Sequence, residues 1–127
     1  HSAGVFPEEL LSEGKLQTWK TSFEVNVLGL CLATREAVKM MRKHDVSGHI
    51  VHINSIAGHH VGFTPKMNVY PATKFAITAL TETLRQELTL LGTRIRVTVS
   101  LGVVLGVDFD WGCRVLVRGW FLASSRF

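Results

Sequence analysis

Tyr70 and Lys74 lie four residues apart in the segment YPATK and form the pair in the chain best suited to proton transfer. Tyr70 is the only tyrosine among 127 residues. Residues four apart on a helix project from the same face, so a lysine ammonium would lie near the phenol. A positive charge there favours the phenolate and lowers the phenol pKa from about 10. The pair therefore predicts a general acid or base. The alternative for so short a motif is a surface pair, with the ring along the lysine side chain.

Ser55 is a second candidate because it ends an apolar run. The segment HIVHINS, residues 49–55, is short, rich in β-branched residues and typical of a buried strand. In open sheets of parallel strands, ligands bind beyond the carboxyl ends of the strands, so a hydroxyl at this position would lie near Tyr70 at the start of the next helix. The alternative is that Ser55 only caps a turn.

Asn26 is unusual because it lies in an apolar helical stripe, between Phe23 and Leu30. A buried amide is costly unless it has hydrogen-bond partners or serves a function. Asn26 is therefore either a satisfied core amide or a site residue.

Hydrophobic periodicity predicts the elements that must position these side chains. Apolar residues recur at steps of three and four between residues 19 and 41, which predicts one long helix, and Gly48 lies beyond its end. The same period returns over residues 69–91, with Pro71 in the first turn, where proline is tolerated. Residues 56–68 are predicted to form a loop, and the alternating segment 94–100 a second strand.

Helices that alternate with strands predict an α/β fold with a parallel sheet, because each helix is long enough to be a crossover connection. If residues 1–4 (HSAG) end a preceding strand, the order of elements is β-α-β-α-β. That order is one half of a doubly wound fold.

Composition excludes several classes of function. With 46% hydrophobic and 19% charged residues, the chain has enough apolar material for one packed domain. Three of the 14 basic residues lie in residues 111–127, which contain no acid, so the rest is nearly neutral and no nucleic-acid partner is expected. No apolar stretch is long enough to span a membrane, and a membrane role is not expected. The spacing of cysteines and histidines predicts no metal site, and a cytoplasmic location is the default.

Five segments, taken in order, resemble the short-chain dehydrogenase/reductase family. They are HSAG, EVNVLG around Asn26, INSIAG with Ser55, YPATK with Tyr70 and Lys74, and VSLGVV after the last predicted strand. The segment 48–88 is most similar to the branch of farnesol dehydrogenase-like and SDR family member eleven-like proteins. The resemblance covers residues 1–110.

The resemblance implies a Rossmann-like fold and a catalytic tetrad. Tyr70 would exchange a proton with the substrate oxygen, and Lys74 would lower the Tyr70 pKa and hold the nucleotide ribose. Ser55 would hydrogen-bond the substrate carbonyl or hydroxyl. Asn26 would position a water molecule on the proton relay to Lys74.

A nicotinamide nucleotide cofactor is also implied by the resemblance, NADP with NAD as the alternative. The implied cofactor-binding residues are Ala3, Gly4, Tyr70, Lys74, Gly102 and Val104. The family's glycine-rich turn, which holds the pyrophosphate at a helix N-terminus, does not occur in these 127 residues. We therefore expect a partial chain, the C-terminal half of the doubly wound sheet without its N-terminal nucleotide-binding half.

The expected reaction interconverts an alcohol and a ketone or aldehyde. Apolar residues in the loop favour an apolar substrate such as an isoprenoid or steroid alcohol; they are Val61, Phe63, Met67 and Val69. Residues 1–110 are expected to form the partial dehydrogenase domain, and residues 111–127 a basic, aromatic tail outside the family fold. A homo-oligomer is expected, because the two long helices carry apolar residues beyond one stripe and form the dimer interface in the family.

Two other functions remain open at this stage. The chain could be an inactive fragment that acts only through its dimerisation helices. It could also be a serine hydrolase that uses Ser55 and a loop histidine, His59 or His60, although the GxSxG motif of such enzymes is absent.

Overall fold

The computed structural model describes residues 3–102 and 121–122. In chain order its elements are helix α1 (Leu16–Phe23), a π-helical turn (Glu24–Leu28), helix α2 (Gly29–Lys43), strand β1 (His49–Ser55), a 3₁₀ turn (Ile56–Gly58), helix α3 (Tyr70–Leu90), strand β2 (Arg96–Gly102) and strand β3 (Phe121–Leu122). The predicted α/β fold is confirmed, with helix, strand, helix and strand following one another from α1 to β2. Residues 3–8, the described part of the segment expected to follow a first strand, contain no strand themselves.

Strands β1 and β2 pair in parallel, and α3 is the crossover between them. The register places Ser55 opposite Gly102, so the last residues of the two strands lie side by side at the carboxyl edge of the sheet. Strand β3, which comes from the tail, pairs antiparallel with β2 through Ser100 and Leu101. The assignment of residues 111–127 to a region outside the family fold stays a prediction.

The first long helix differs from its prediction because a π-helical turn divides it. A π turn closes its hydrogen bonds over five residues instead of four, and such turns are frequent at functional sites. The turn is centred on Asn26, whose side chain is only 1% exposed. Apolar periodicity does not reveal one wider turn, so the sequence predicted a continuous helix.

Helices α2 and α3 cover the same face of the sheet, and His52 of β1 joins them. His52 Nε2 lies 2.9 Å from Thr34 Oγ1 on α2, and His52 Nδ1 lies 2.8 Å from Thr81 Oγ1 on α3. The buried apolar side chains of the described residues are few: Leu30, Ala57, Ile77, Leu88 and Ile95. Both hydrogen bonds and apolar packing therefore hold α3 against β1.

The described part of the chain contains no helix that is long and apolar enough to cross a membrane. Within residues 3–102 and 121–122, no three His, Cys, Asp or Glu side chains are grouped as metal ligands would be. His49 is exposed and contacts Thr98, whereas His52 is buried. The two histidines thus have different surroundings, as expected for side chains on opposite faces of a strand.

Candidate active site

Ser55, Tyr70 and Lys74 come together beyond the carboxyl ends of β1 and β2. Ser55 is the last residue of β1, and Tyr70 is the first residue of α3. The Ser55 side chain is close enough to hydrogen-bond the Tyr70 hydroxyl and to change its pKa. The edge of the sheet where ligands of this fold class bind therefore carries a hydroxyl, a phenol and an ammonium.

Tyr70 and Lys74 are stacked rather than joined through the phenol oxygen. Lys74 Nζ lies 5.6 Å from the centroid of the Tyr70 ring, and it donates a long hydrogen bond of 3.4 Å to the carbonyl of Ile53. On another side, the Phe6 ring packs edge-on against Tyr70, with the centroids 4.8 Å apart. These contacts leave Tyr70 partly accessible while Lys74 is buried.

Burial shifts the pKa values of both groups towards their neutral forms. Burial raises the pKa of the Tyr70 phenol. The hydrogen bond with Ser55 acts in the opposite direction and offsets part of this rise. Burial lowers the pKa of the Lys74 ammonium. The sequence predicted a lowered Tyr70 pKa, and the structure gives the opposite direction, because removal from water penalises the phenolate more than its neighbours favour it.

The turn that carries Ser55 is attached to α3 by side-chain hydrogen bonds. Ser55 Oγ accepts a hydrogen bond of 3.2 Å from the Ala57 amide, which is the turn-capping role considered from the sequence. Asn54 Nδ2 donates to Thr78 Oγ1 at 2.9 Å, and Thr78 Oγ1 donates to the Gly58 carbonyl at 2.9 Å. A Cβ on Gly58 would lie 2.7 Å from the Lys74 carbonyl, so this close approach requires glycine.

Asn26 is buried and uses its amide for three hydrogen bonds. Its Oδ1 accepts from the Val5 amide at 2.7 Å, and its Nδ2 donates to the Val5 carbonyl at 2.9 Å and to Thr73 Oγ1 at 3.1 Å. Both N–H groups of the amide are thus occupied. A water molecule at Asn26 would have to be held by the amide oxygen or the backbone, so the water-positioning role stays a prediction.

The remaining candidates are located near this edge or lie outside the described residues. Ala3 and Gly4 are exposed, and a Cβ on Gly4 would lie 3.5 Å from Asn26 Oδ1. Gly102 is next to Ser55 in the sheet register. Val104 lies outside the described residues.

The loop between Ser55 and α3 is largely exposed. His59, His60 and Val61 are exposed, and Phe63 is fully exposed to solvent. The partners described for the Ser55 hydroxyl are the Ala57 amide and the Tyr70 hydroxyl, and neither is a histidine. The hydrolase alternative therefore has no support from the geometry of the described residues.

A concavity of about 180 Å³ lies at the other end of α3, lined by residues that include Leu88, Thr93 and Ile95. Helix α3 has 21 residues and is therefore roughly 30 Å long. This concavity is remote from Tyr70 at the start of the helix and is not the candidate site.

Sequence reasoning missed two residues that contact the site. Thr73 is fully buried and bonded to both Asn26 and the Tyr70 carbonyl. The sequence did hold a sign of this role, because Thr73 is a polar residue just before Lys74 on the buried face of α3. Phe6, which packs on Tyr70, is 64 residues from it in sequence and gave no signal in any local pattern.

The fold and this arrangement define a class of protein: the chain belongs to the short-chain dehydrogenase family, whose family model matches residues 1–109. The chain is 46% identical over 106 residues to farnesol dehydrogenase of Aedes aegypti, an alignment that covers 82% of this chain and 43% of that protein. It is 47% identical over 106 residues to dehydrogenase/reductase SDR family member 11 of Homo sapiens, covering 82% and 41%. The chain thus spans less than half the length of these curated relatives.

Solved structures of the family show the same fold. A short chain dehydrogenase/reductase from Burkholderia phymatum, in complex with NAD, matches with a TM-score of 0.74 and 32% identity over 80% of this chain and 35% of that chain. The closed form of serine dehydrogenase complexed with NADP+ matches with a TM-score of 0.72 and 31% identity, covering 83% and 41%.

Proposed function

We propose that this protein is an oxidoreductase that interconverts an alcohol and a ketone or aldehyde with a nicotinamide nucleotide. The observation that carries the proposal is the meeting of Ser55, Tyr70 and Lys74 at the carboxyl edge of a parallel sheet in a member of this family. NADP is the proposed nucleotide, with NAD as the alternative. Relatives in complex with each nucleotide support the class of cofactor.

The residues present fit such a nucleotide. An ammonium has three N–H donors, and the one hydrogen bond described for Lys74 Nζ is long, at 3.4 Å. Burial lowers the Lys74 pKa, so a hydrogen-bond acceptor such as a ribose hydroxyl would stabilise its charged form. Gly4 and Gly102 have no side chain and allow close approach to the backbone. We assign Ala3 and Gly4 to the adenosine, and Gly102 and Val104 to the nicotinamide.

Proton transfer is the part of the reaction that we assign to this chain's own residues. The nucleotide supplies or accepts the hydride when it is bound. In reduction, Tyr70 donates its hydroxyl proton to the substrate oxygen, while Ser55 hydrogen-bonds the same oxygen. In oxidation, the Tyr70 phenolate accepts the proton of the alcohol, and the Lys74 ammonium stabilises that phenolate. The raised pKa of Tyr70 keeps the phenol protonated at neutral pH, which favours reduction, whereas oxidation should accelerate as the pH rises.

An apolar alcohol or carbonyl compound is the proposed substrate. Val61 and Phe63 in the loop before Tyr70 are exposed and are available to contact it. An isoprenoid or steroid alcohol has the apolar surface that such side chains would cover. The relative named farnesol dehydrogenase is in keeping with this class.

Substitution of the three site residues tests the proposal. In the intact protein, Tyr70→Phe removes the transferable proton and keeps the ring, so turnover of a long-chain alcohol with NADP should fall by at least ~10²-fold. Lys74→Ala should also weaken NADPH binding, measured by nucleotide fluorescence, whereas Ser55→Ala should mainly lower turnover. Lys39→Ala, which removes an exposed lysine on α2, is the control and should change neither quantity.

Two results would contradict the proposal. One is a Tyr70→Phe enzyme with nearly wild-type turnover. The other is an equal effect of Lys39→Ala and Lys74→Ala on NADPH binding. Covalent labelling of Ser55 by a fluorophosphonate would support the hydrolase alternative instead.

A further inference from the structure

Thr73 connects the π-helical turn to the first turn of α3. Its side chain is 0% exposed. Its Oγ1 donates a hydrogen bond of 2.7 Å to the Tyr70 carbonyl and accepts one of 3.1 Å from Asn26 Nδ2. Because the Asn26 amide also bonds both backbone groups of Val5, a continuous path of hydrogen bonds runs from Val5 to the backbone of Tyr70.

The position of this path matters because it ends at the first turn of a helix. The first backbone N–H groups of a helix have no partner within the helix, and at the start of α3 the Tyr70 amide instead donates to the Met67 carbonyl at 3.0 Å. The residue before α3 makes no side-chain capping hydrogen bond. The Tyr70 carbonyl also accepts a hydrogen bond from a side chain three residues later, and that side chain is itself fixed by Asn26.

We infer that Thr73 is a positioning residue: its hydroxyl links Asn26 to the backbone of Tyr70 and fixes the phenol beside Ser55 and Lys74. The inference rests on the proposed function for its catalytic consequence, although the positioning itself can be measured without turnover. Thr73 contacts the reaction only through Asn26 and Tyr70, so its removal should lower kcat and leave the KM of the alcohol within about twofold.

Spectrophotometric titration of Tyr70 is the test. Tyr70 is the only tyrosine among these 127 residues, so in this chain the absorbance of tyrosinate reports this phenol alone, and in a longer protein the difference from Tyr70→Phe isolates it. Thr73→Val keeps the shape of the side chain and removes the hydroxyl. It should release the first turn of α3, expose the phenol, and move the titration midpoint towards the ordinary value of about 10 by about half a unit or more. Thr73→Ser retains the hydroxyl and should titrate like the wild type.

Thr81→Val is the matched control. Thr81 is also buried on α3, and its hydroxyl likewise bonds one helix carbonyl, that of Ile77, and one group on another element, His52. It has no hydrogen bond to Asn26 or Tyr70. Thr81→Val should therefore destabilise the protein but leave the Tyr70 titration where it is. If the role of Thr73 were purely structural, Thr73→Val and Thr81→Val would have the same effect on the Tyr70 titration.

The proposal is overturned if the Tyr70 titration midpoint of Thr73→Val equals that of the wild type, or if Thr81→Val moves this midpoint as far as Thr73→Val does. It is also overturned if the folded wild type has the same midpoint as the protein unfolded in urea. Should Thr73→Val fail to fold, Thr73→Ala and Thr73→Ser repeat the comparison, because alanine has neither hydrogen bond and serine can form both. Failure of the proposed function is a different result, in which Tyr70→Phe keeps its turnover. A shifted Tyr70 titration in Thr73→Val would then still establish the positioning role.

Discussion

At the scale of single residues, the site has a half-buried phenol, Tyr70, beside a buried ammonium, Lys74. Burial acts on each in the direction of its neutral form, upward for the Tyr70 pKa and downward for the Lys74 pKa. Ser55 opposes the shift at Tyr70 because a hydrogen bond to the phenolate favours the charged form. The Tyr70 phenol is thus protonated at neutral pH, and groups that bind beside it would change its pKa.

The Ser55 hydroxyl should therefore be measurable in the Tyr70 titration. We expect a wild-type midpoint above 10, a return to about 10 in urea, and a further rise in Ser55→Ala. Ser47→Ala, which removes an exposed hydroxyl before β1, should leave the midpoint unchanged. Because the folded protein holds this proton more tightly, stability is complete below about pH 10 and falls as the pH rises through the folded-state pKa. A lower midpoint in Ser55→Ala would show that the hydrogen bond does not favour the phenolate.

At the scale of elements, helix α3 is attached to its surroundings by three threonine hydroxyls. Thr73 bonds the π-helical turn, Thr78 bonds Asn54 and the Gly58 carbonyl, and Thr81 bonds His52 of β1. These contacts fix the rotation and the axial position of α3 relative to β1. The helix that carries Tyr70 is thereby held both at the site and at the middle of β1.

These contacts also separate the features that the sequence could predict from those that it could not. The strand at residues 49–55 was predicted with the bounds that the structure has, and α3 to within one residue at each end, because both depend on local periodicity. The second strand lies two residues further along the chain than predicted. The π-helical turn and the partners of Asn26 and Thr73 depend on atoms 21 and 47 residues apart. Local sequence patterns do not extend over such separations. The sequence could therefore predict that a buried Asn26 needs a hydrogen-bond partner, but not which residue provides it.

His52 should make the packing of α2 and α3 sensitive to acid. Thr81 donates its hydroxyl hydrogen to the Ile77 carbonyl, so it accepts from His52 Nδ1, and in the neutral ring His52 Nε2 then accepts from the Thr34 hydroxyl. Burial lowers the His52 pKa from 6.5 to about 4, so the ring is neutral at pH 7. Stability is complete above about pH 6.5 and is lost as the pH falls towards 4, on the order of 3 kcal/mol.

Urea unfolding followed by circular dichroism at pH 7 and pH 4.5 measures this effect. His52→Gln cannot be protonated and should lose less stability between the two pH values than the wild type does. His44→Gln, at the exposed end of α2, should lose as much as the wild type. An equal loss in His52→Gln and the wild type would show that His52 is not the group responsible.

At the scale of the whole molecule, the described part of the chain has a small apolar core and much exposed apolar surface. Large apolar side chains on the π-helical turn, α2 and α3 are between two fifths and nine tenths exposed; they include Leu28 at 55%, Leu32 at 53%, Phe75 at 42% and Leu90 at 87%. Exposed apolar surface of this kind marks places where another surface binds. The family resemblance assigns these two helices to a dimer interface, so we propose that they pair with those of a second copy.

Association through these helices predicts how the mass of the protein in solution depends on single side chains. A charge placed in an apolar interface must be desolvated without a partner, so Leu32→Glu and Phe75→Glu should each weaken association strongly. Light scattering at micromolar concentration should give two or four times the mass of one chain for the wild type and a smaller mass for both variants. Val46→Glu places the same charge on an exposed apolar residue beyond α2 and should not change the mass. A monomeric wild type, or dissociation by Val46→Glu as complete as by Leu32→Glu, would contradict pairing through α2 and α3, because the effect would then come from net charge rather than from the helix surface.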